Sequence, residues 1–194
     1  MQNLLAVYGS PRRDGNSSVL LDYFLQGAGS SAGNIERVYL RELKFSPCTE
    51  CGRCEKTGTC VIQDDMIPLY DKLLNYERLV ISCPVFFLGP PAIAKAFMDR
   101  VQSLWNRKYI LGVDPNPRGV EKKGFLLSVG GFKGSEKIFS CNRSIVRAIF
   151  TTCGFRYAGE LLFSGIDHFG DIERRDDIKR AAFKAGRDFL YSKV

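Results

Sequence analysis

Residues 4–18 read LLAVYGSPRRDGNSS, and this stretch decides the fold class. Five apolar residues stop at Gly9-Ser10-Pro11, the profile of a buried strand running into a loop. From Asn16 the spacing changes. Asn16 or Ser17 can cap a helix, and Val19, Leu20, Tyr23 and Phe24 then fall on one helical face. The unit is strand, polar turn, helix, and it recurs along the chain. Residues 27–34 break the first helix, and IERVYL (35–40) reads as a second strand. LVISC (79–83) is a third, ended by Pro84, and FLLSV (125–129) a fourth, turning at Gly130-Gly131. A fifth is expected over 155–163.

Helices are expected between these strands. One runs over 64–75, with Ile67, Leu69 or Tyr70, Leu73 and Leu74 as its apolar face. Another covers 92–105 and buries Ile93, Phe97, Val101 and Leu104, and two more cover 136–152 and 172–191. The first, third and fourth strands are continuously apolar, which marks a parallel sheet covered on both faces. The expectation is a doubly wound, five-stranded α/β domain spanning 1–194, in strand order 2-1-3-4-5. That order brings the loops after strands one, three and four to one crevice.

Composition limits the function classes. Hydrophobic residues make up 45% and charged residues 25% of the 194, an ordinary balance for a globular protein. No apolar run approaches the ~20 residues of a membrane span, and the N-terminus lacks the charged-then-apolar-then-small order of a signal peptide. A cytoplasmic protein is expected. The formal charge of +7 is spread without long basic runs or interleaved aromatics, which argues against nucleic acid and is compatible with anionic cofactors. The single histidine makes a hydrolytic triad improbable, and no nucleophile–base constellation is visible.

The three loops read separately. GSPRRDGNSS (9–18) lacks the Lys-Ser/Thr of a Walker A loop, which Asn16-Ser17 replace, and it is not G-x-G-x-x-G. What remains is a hydroxyl- and amide-rich turn entering a helix N-terminus, suited to a terminal phosphate. CPVFFLGPP (83–91) sets two aromatics between prolines just beyond a buried strand, so a planar ligand or a plug of side chains fits there. SVGGFKGS (128–135) has glycines where backbone can approach a ligand.

Residues 44–64 show neither helical nor strand period, and they hold CTECGRCEKTGTC (48–60). Long irregular loops within compact domains are commonly functional. The spacing C-x2-C-x2-C-x5-C begins with the tight repeat of cubane iron–sulfur sites. Zinc also accepts four thiolates, but its sites more often join two C-x2-C knuckles across a longer spacer. A disulfide, or a loop held by its own packing, stays open as well. Cys83, Cys141 and Cys153 are scattered and read as small buried hydrophobes, Cys83 abutting the second loop. His168 reads as a surface-loop residue and Trp105 as a packing or interface residue, and 106–121 is irregular without a recognisable motif.

Taken in order, YGSPRRDGNSS, the cysteine cluster, VIQDDM, ISCPVFFLGPPAIAKAFMDR and SVGGFKG resemble the NADPH-dependent FMN reductase superfamily. Within it, the chain is most similar to the iron–sulfur flavoprotein branch, over about residues 3–165. The resemblance implies a flavodoxin-like fold, with FMN phosphate held by Ser10, Arg12, Asn16, Ser17 and Ser18. It implies an isoalloxazine lined by Pro84, Val85, Phe86, Phe87 and Leu88 and closed by Gly130 and Gly131. It also implies a [4Fe–4S] cluster on Cys48, Cys51, Cys54 and Cys60.

The implied chemistry belongs to the flavin, with no catalytic side chain. The implied activity is electron passage between NAD(P)H or ferredoxin, FMN and the cluster, in a homo-oligomer, dimer or tetramer. Two other readings stand beside it: a cluster-less NAD(P)H:FMN or quinone reductase, and a non-enzymatic electron carrier. The chain departs from the family pattern where P-V-Y-F-G/N becomes Pro84-Val85-Phe86-Phe87-Leu88.

Overall fold

The computed structural model describes residues 2–29 and 32–191. Five strands, β1 (Gln2–Tyr8), β2 (Ala32–Tyr39), β3 (Arg78–Pro84), β4 (Lys123–Gly130) and β5 (Arg156–Ser164), form one sheet. The order is 2-1-3-4-5 and every pairing is parallel. This is the flavodoxin-like arrangement that the alternating units imply. Positions 30 and 31 of the expected 27–34 break lie outside the described residues.

Two apolar layers enclose the sheet, and β1 shows how. Leu4, Ala6 and Tyr8 point to one layer with Leu20, Leu21 and Phe24 of α1 (Asn16–Ala28) and Ile178, Ala182 and Phe189 of α7 (Asp176–Tyr191). Leu5 and Val7 point to the other, with α3 (Ile67–Asn75), α4 (Ala92–Arg100) and α6 (Ser140–Thr152). Alternate side chains of one strand feed opposite cores, which is why β1, β3 and β4 read as unbroken apolar runs. The edge strands β2 and β5 keep partly exposed residues; β2 begins three positions before the sequence expectation, and β5 lies within one position of it.

Helix boundaries differ more. The helix expected over 92–105 is two helices, α4 and α5 (Gln102–Tyr109), so the irregular segment begins after Tyr109 rather than at 106. At Val101 the N–H bonds back three residues to the Met98 carbonyl (3.1 Å), a 3-10 step that swings α5 away. No proline or glycine marks this kink in the sequence. The helix expected from 136 starts as a 3-10 turn over Glu136–Phe139, and α7 starts at Asp176 rather than 172. The helix expected from 64 begins at Ile67, because Asp64 caps the preceding turn through the Met66 N–H (3.1 Å). Within 44–64 the only regular element described is one helical turn, α2 (Cys54–Thr57).

Candidate functional site

At the carboxyl edge of the sheet the loops after β1, β3 and β4 converge. The Gly9 N–H donates to the Ser82 carbonyl (2.7 Å), and a Cβ at Gly9 would meet Cys83 Cβ and Ser82 O at 3.0 Å. The first loop therefore presses against β3. Ser10 Oγ accepts from the Arg12 N–H (3.0 Å), curling the turn ahead of α1. Ser17 lies in the first turn of α1 and is buried, and its Oγ has no hydrogen-bond partner. Ser82 Oγ meanwhile donates to the Ser17 carbonyl (2.6 Å), fixing that turn to β3.

Ser10, Arg12, Asn16 and Ser17 line one end of a cavity of about 130 Å³, and Pro84, Val85 and Phe86 line the other. Gly130 and Gly131 close it. A Cβ on Gly131 would lie 2.5 Å from Asp167 Oδ1, so a larger residue there must displace the Asp167 side chain. One end offers hydroxyls, an amide, a guanidinium and a helix N-terminus, all suited to a dianionic phosphate. The other offers proline and apolar side chains, suited to a flat ring system.

Three of the twelve residues singled out for this crevice lie elsewhere. Ser18 is turned inward and its Oγ donates to the Arg12 carbonyl (3.4 Å). Phe87 and Leu88 sit at the tip of a tight 86–89 turn in which Phe86 and Gly89 exchange N–H···O bonds (2.7 and 3.0 Å). Both tip residues have left-handed backbone, with φ of 51° and 64°. That conformation favours glycine or asparagine, the residue types that Leu88 replaces in the family pattern. The tip carries their side chains out of the first cavity into an adjoining apolar one of about 300 Å³ with Val85, Phe132 and Ile138. Phe87 is fully exposed.

A fourth loop was missed in the sequence. Ile166 and Asp167, after β5, line the crevice as well, because the Ile166 N–H donates to the Gly130 carbonyl (3.0 Å). Asn16 holds that loop from the other side: its Nδ2 donates to the His168 carbonyl (2.8 Å), and its Oδ1 accepts from the Ile172 N–H (3.3 Å). His168 itself is exposed. The available signal was Gly165 following a strand, the same punctuation that marked the other loops.

Cys48, Cys51, Cys54 and Cys60 line a second, separate cavity of about 420 Å³. The loop wraps because Glu50, Gly52 and Gly58 take left-handed backbone. Among the described residues, no three cysteine, histidine or acidic side chains come close enough to hold a single metal ion. Asn106, brought round by the kink at Val101, donates from Nδ2 to Cys54 Sγ (3.1 Å). Cys83 and Cys153 are buried, and burial pushes both thiols up to about 12, so both stay protonated. Cys141, in contrast with the sequence expectation, is exposed on the first turn of α6.

Asp64 closes the stem of the cysteine loop. It pairs with buried Arg100 (2.6 Å) and accepts from the Ser46 N–H (3.1 Å). Burial alone would raise its pKa. The hydrogen bonds from Arg100 and from the Ser46 and Met66 backbones outweigh that and hold the carboxyl below its usual range. A depressed folded pKa stabilises above the unfolded value of about 3.9 and is lost as pH falls through the lower folded value. Deuterium exchange across 44–65 should therefore stay slow at neutral pH and accelerate below about pH 4, corrected for intrinsic rates. Rates flat through that range would remove the ion pair from the stem.

The sheet order and the crevice at its carboxyl edge define a flavodoxin-like α/β protein. The family model for NADPH-dependent FMN reductase matches residues 2–139. An iron–sulfur flavoprotein of Archaeoglobus fulgidus is 33% identical over 108 residues, 56% of this chain and 49% of its own length. Another, of Methanosarcina thermophila, is 30% identical over 136 residues, 69% of this chain and 67% of its own. The chain thus spans about half to two thirds of the relatives' length. The NAD(P)H:quinone oxidoreductase of Methanothermobacter marburgensis superposes with a TM-score of 0.70 at 17% identity, covering 100% of this chain and 99% of its own, which speaks for the fold. The chain belongs to the NADPH-dependent FMN reductase family, a family of flavin oxidoreductases, and within it to the iron–sulfur flavoprotein branch. No helix among the described residues is long and apolar enough to cross a membrane.

Proposed function

We propose that this chain is an FMN-dependent oxidoreductase that also carries an iron–sulfur cluster, exchanging electrons between NAD(P)H or ferredoxin and a one-electron partner. The observation that carries the flavin assignment is Ser17: a buried hydroxyl without a partner, at a helix N-terminus, in the wall of a cavity that Ser10, Arg12 and Asn16 also line. A buried polar group left unpaired is costly, and a phosphate oxygen would satisfy it. Pro84, Val85 and Phe86 would bound the ring system, with Gly130 and Gly131 giving it backbone-close approach. The flavin, when bound, supplies two-electron and one-electron redox chemistry. The chain's residues bind, orient and screen it.

The cysteine cavity supports a cluster over a single ion. A lone zinc draws four sulfurs onto bonds of about 2.3 Å to one point, whereas a cubane spreads its thiolates around a larger body. Four thiols lining one cavity of about 420 Å³ leave room for the larger body. Cys48, Cys51, Cys54 and Cys60 would hold it, and the cluster would supply single-electron exchange. Exposed Phe86, Phe87, Leu88 and Phe132 at the crevice rim support a homo-oligomer in which a second copy covers them.

Purification without oxygen, followed by flavin, iron, acid-labile sulfide and zinc analysis, tests the proposal. The expected result is one FMN with roughly four iron and four sulfide per chain, as a cubane requires. The flavin should bleach on addition of NADH or NADPH. FMN without iron would reduce the assignment to a flavin reductase, and a chain that retains no flavin would sink it.

A further inference from the structure

We propose that Arg100 is a positioning residue that latches both ends of the cysteine loop, so that the four thiols line one cavity before any metal arrives. The consequence for loading rests on the iron–sulfur reading above; the latch itself does not.

A guanidinium has five N–H donors in a rigid planar fork. All five of Arg100's are engaged. Nε donates to Tyr70 Oη (3.2 Å), Nη1 to the Ser46 carbonyl (2.7 Å) and Asp64 Oδ2 (2.6 Å), and Nη2 to the Ile62 carbonyl (3.3 Å) and Asp64 Oδ1 (3.0 Å). Ser46 stands two residues before Cys48, and Ile62 two residues after Cys60. One side chain therefore pins the chain on both sides of the cluster motif. The stem below is zipped by Lys44 and Asp65: the Lys44 N–H donates to Asp65 Oδ2 (2.6 Å), and the Asp65 N–H returns to the Lys44 carbonyl (3.2 Å).

The arrangement costs too much to be incidental. The Arg100 side chain is fully buried, and a buried charge is tolerated only when its partners are complete. Lysine, a point charge with no fork, cannot bridge two carbonyls and both carboxylate oxygens at once. Arg100 also lines the cavity that the four cysteines share, so its cation stands beside the place where anionic sulfur would gather. Small thiolate sites usually fold only when metal binds. Here the loop is closed by a contact that uses none of its cysteines, so the ordering cost is met by the protein fold.

Hydrogen exchange read by mass spectrometry on the full chain, FMN bound and metal-free, tests the latch. Wild type should exchange slowly across 44–65. Arg100→Met should exchange there faster by on the order of a hundredfold, while β1, β3 and β4 keep their protection. Arg100→Lys, which keeps the charge and folds more readily, should fall between the two. Equal exchange in wild type and either variant overturns the proposal. In a parallel arm, apoprotein is incubated with ferrous iron and sulfide under nitrogen. Wild type should load, and Arg100→Met should load at least about tenfold more slowly at unchanged flavin content. Equal loading overturns the role toward the thiols. A wild type that takes up no iron removes the cluster reading instead, and the exchange comparison still decides the latch.

Discussion

Replacing Ser17 with aspartate is expected to abolish flavin retention. In the wild type the Ser17 hydroxyl is buried without a partner among Ser10, Arg12 and Asn16, at the start of α1. The loop leaves it an acceptor to find, and the helix N-terminus makes that acceptor an anion. A carboxylate at the same Cβ reverses the site's preference. Two unit charges about 4 Å apart at an effective dielectric near 20 repel by about 4 kcal/mol, which is roughly a thousandfold in affinity. Loss of the hydroxyl alone, in Ser17→Ala, removes one hydrogen bond to a charged group, about 1.5–3 kcal/mol or roughly ten- to a hundredfold. Repulsion is the larger effect. Titration of the apoproteins with FMN, followed by flavin fluorescence, should rank them wild type, alanine, aspartate. Aspartate binding FMN as tightly as wild type would move the phosphate away from α1.

The sequence made the sheet legible where burial on both faces left one unbroken apolar run, as in LLAVY and FLLSV. Of the edge strands, β5 fell within one residue of its expected bounds, whereas β2 begins three residues earlier than expected, since its half-exposed residues do not declare a face. The kink at Val101 was invisible, since a valine within a helical period carries no breaker signal. Yet it is the kink that turns Asn106 toward Cys54. The role of Arg100 carried no signal in the sequence, because its partner Asp64 is 36 positions away and only the fold brings them together. The crevice at the carboxyl edge of the sheet was largely legible from its loops. Phe87 and Leu88 departed from it because their left-handed backbone, which pattern alone does not foresee in bulky residues, aims them outward. Ile166 lies beyond the strand expected to end at 163, and only the bond from its N–H to the Gly130 carbonyl brings its loop to the crevice.

The second large effect falls on α1 and α7, in the apolar layer opposite the one that holds Cys60, Cys83 and Cys153. A Cβ built on Gly186 would lie 1.8 Å from the Phe24 carbonyl oxygen, and one on Gly27 would lie 1.9 Å from the Phe183 carbonyl oxygen. The two helices touch backbone to backbone, each through the other's glycine. Gly186→Ala raises intrinsic helix propensity by about 1 kcal/mol, which taken alone predicts a more stable protein. Overpacking opposes it: ordinary contact needs about twice the available distance, so the helices must part, at about 3 kcal/mol or more. Packing wins.

The melting temperature should fall by several degrees, at about 2–4 °C per kcal/mol for a chain this size. Gly27→Ala combined with Gly186→Ala should cost less than the sum, because helices already parted accommodate the second methyl. The displacement also has a functional direction. α1 carries Asn16 and Ser17 at its start and packs with α7 on one face of the sheet, whereas α3 and α4 belong to the other face. Gly186→Ala should therefore weaken FMN binding while deuterium exchange across 44–65 stays at the wild-type rate. Equal loosening of both regions would show that the two faces do not bear their sites independently.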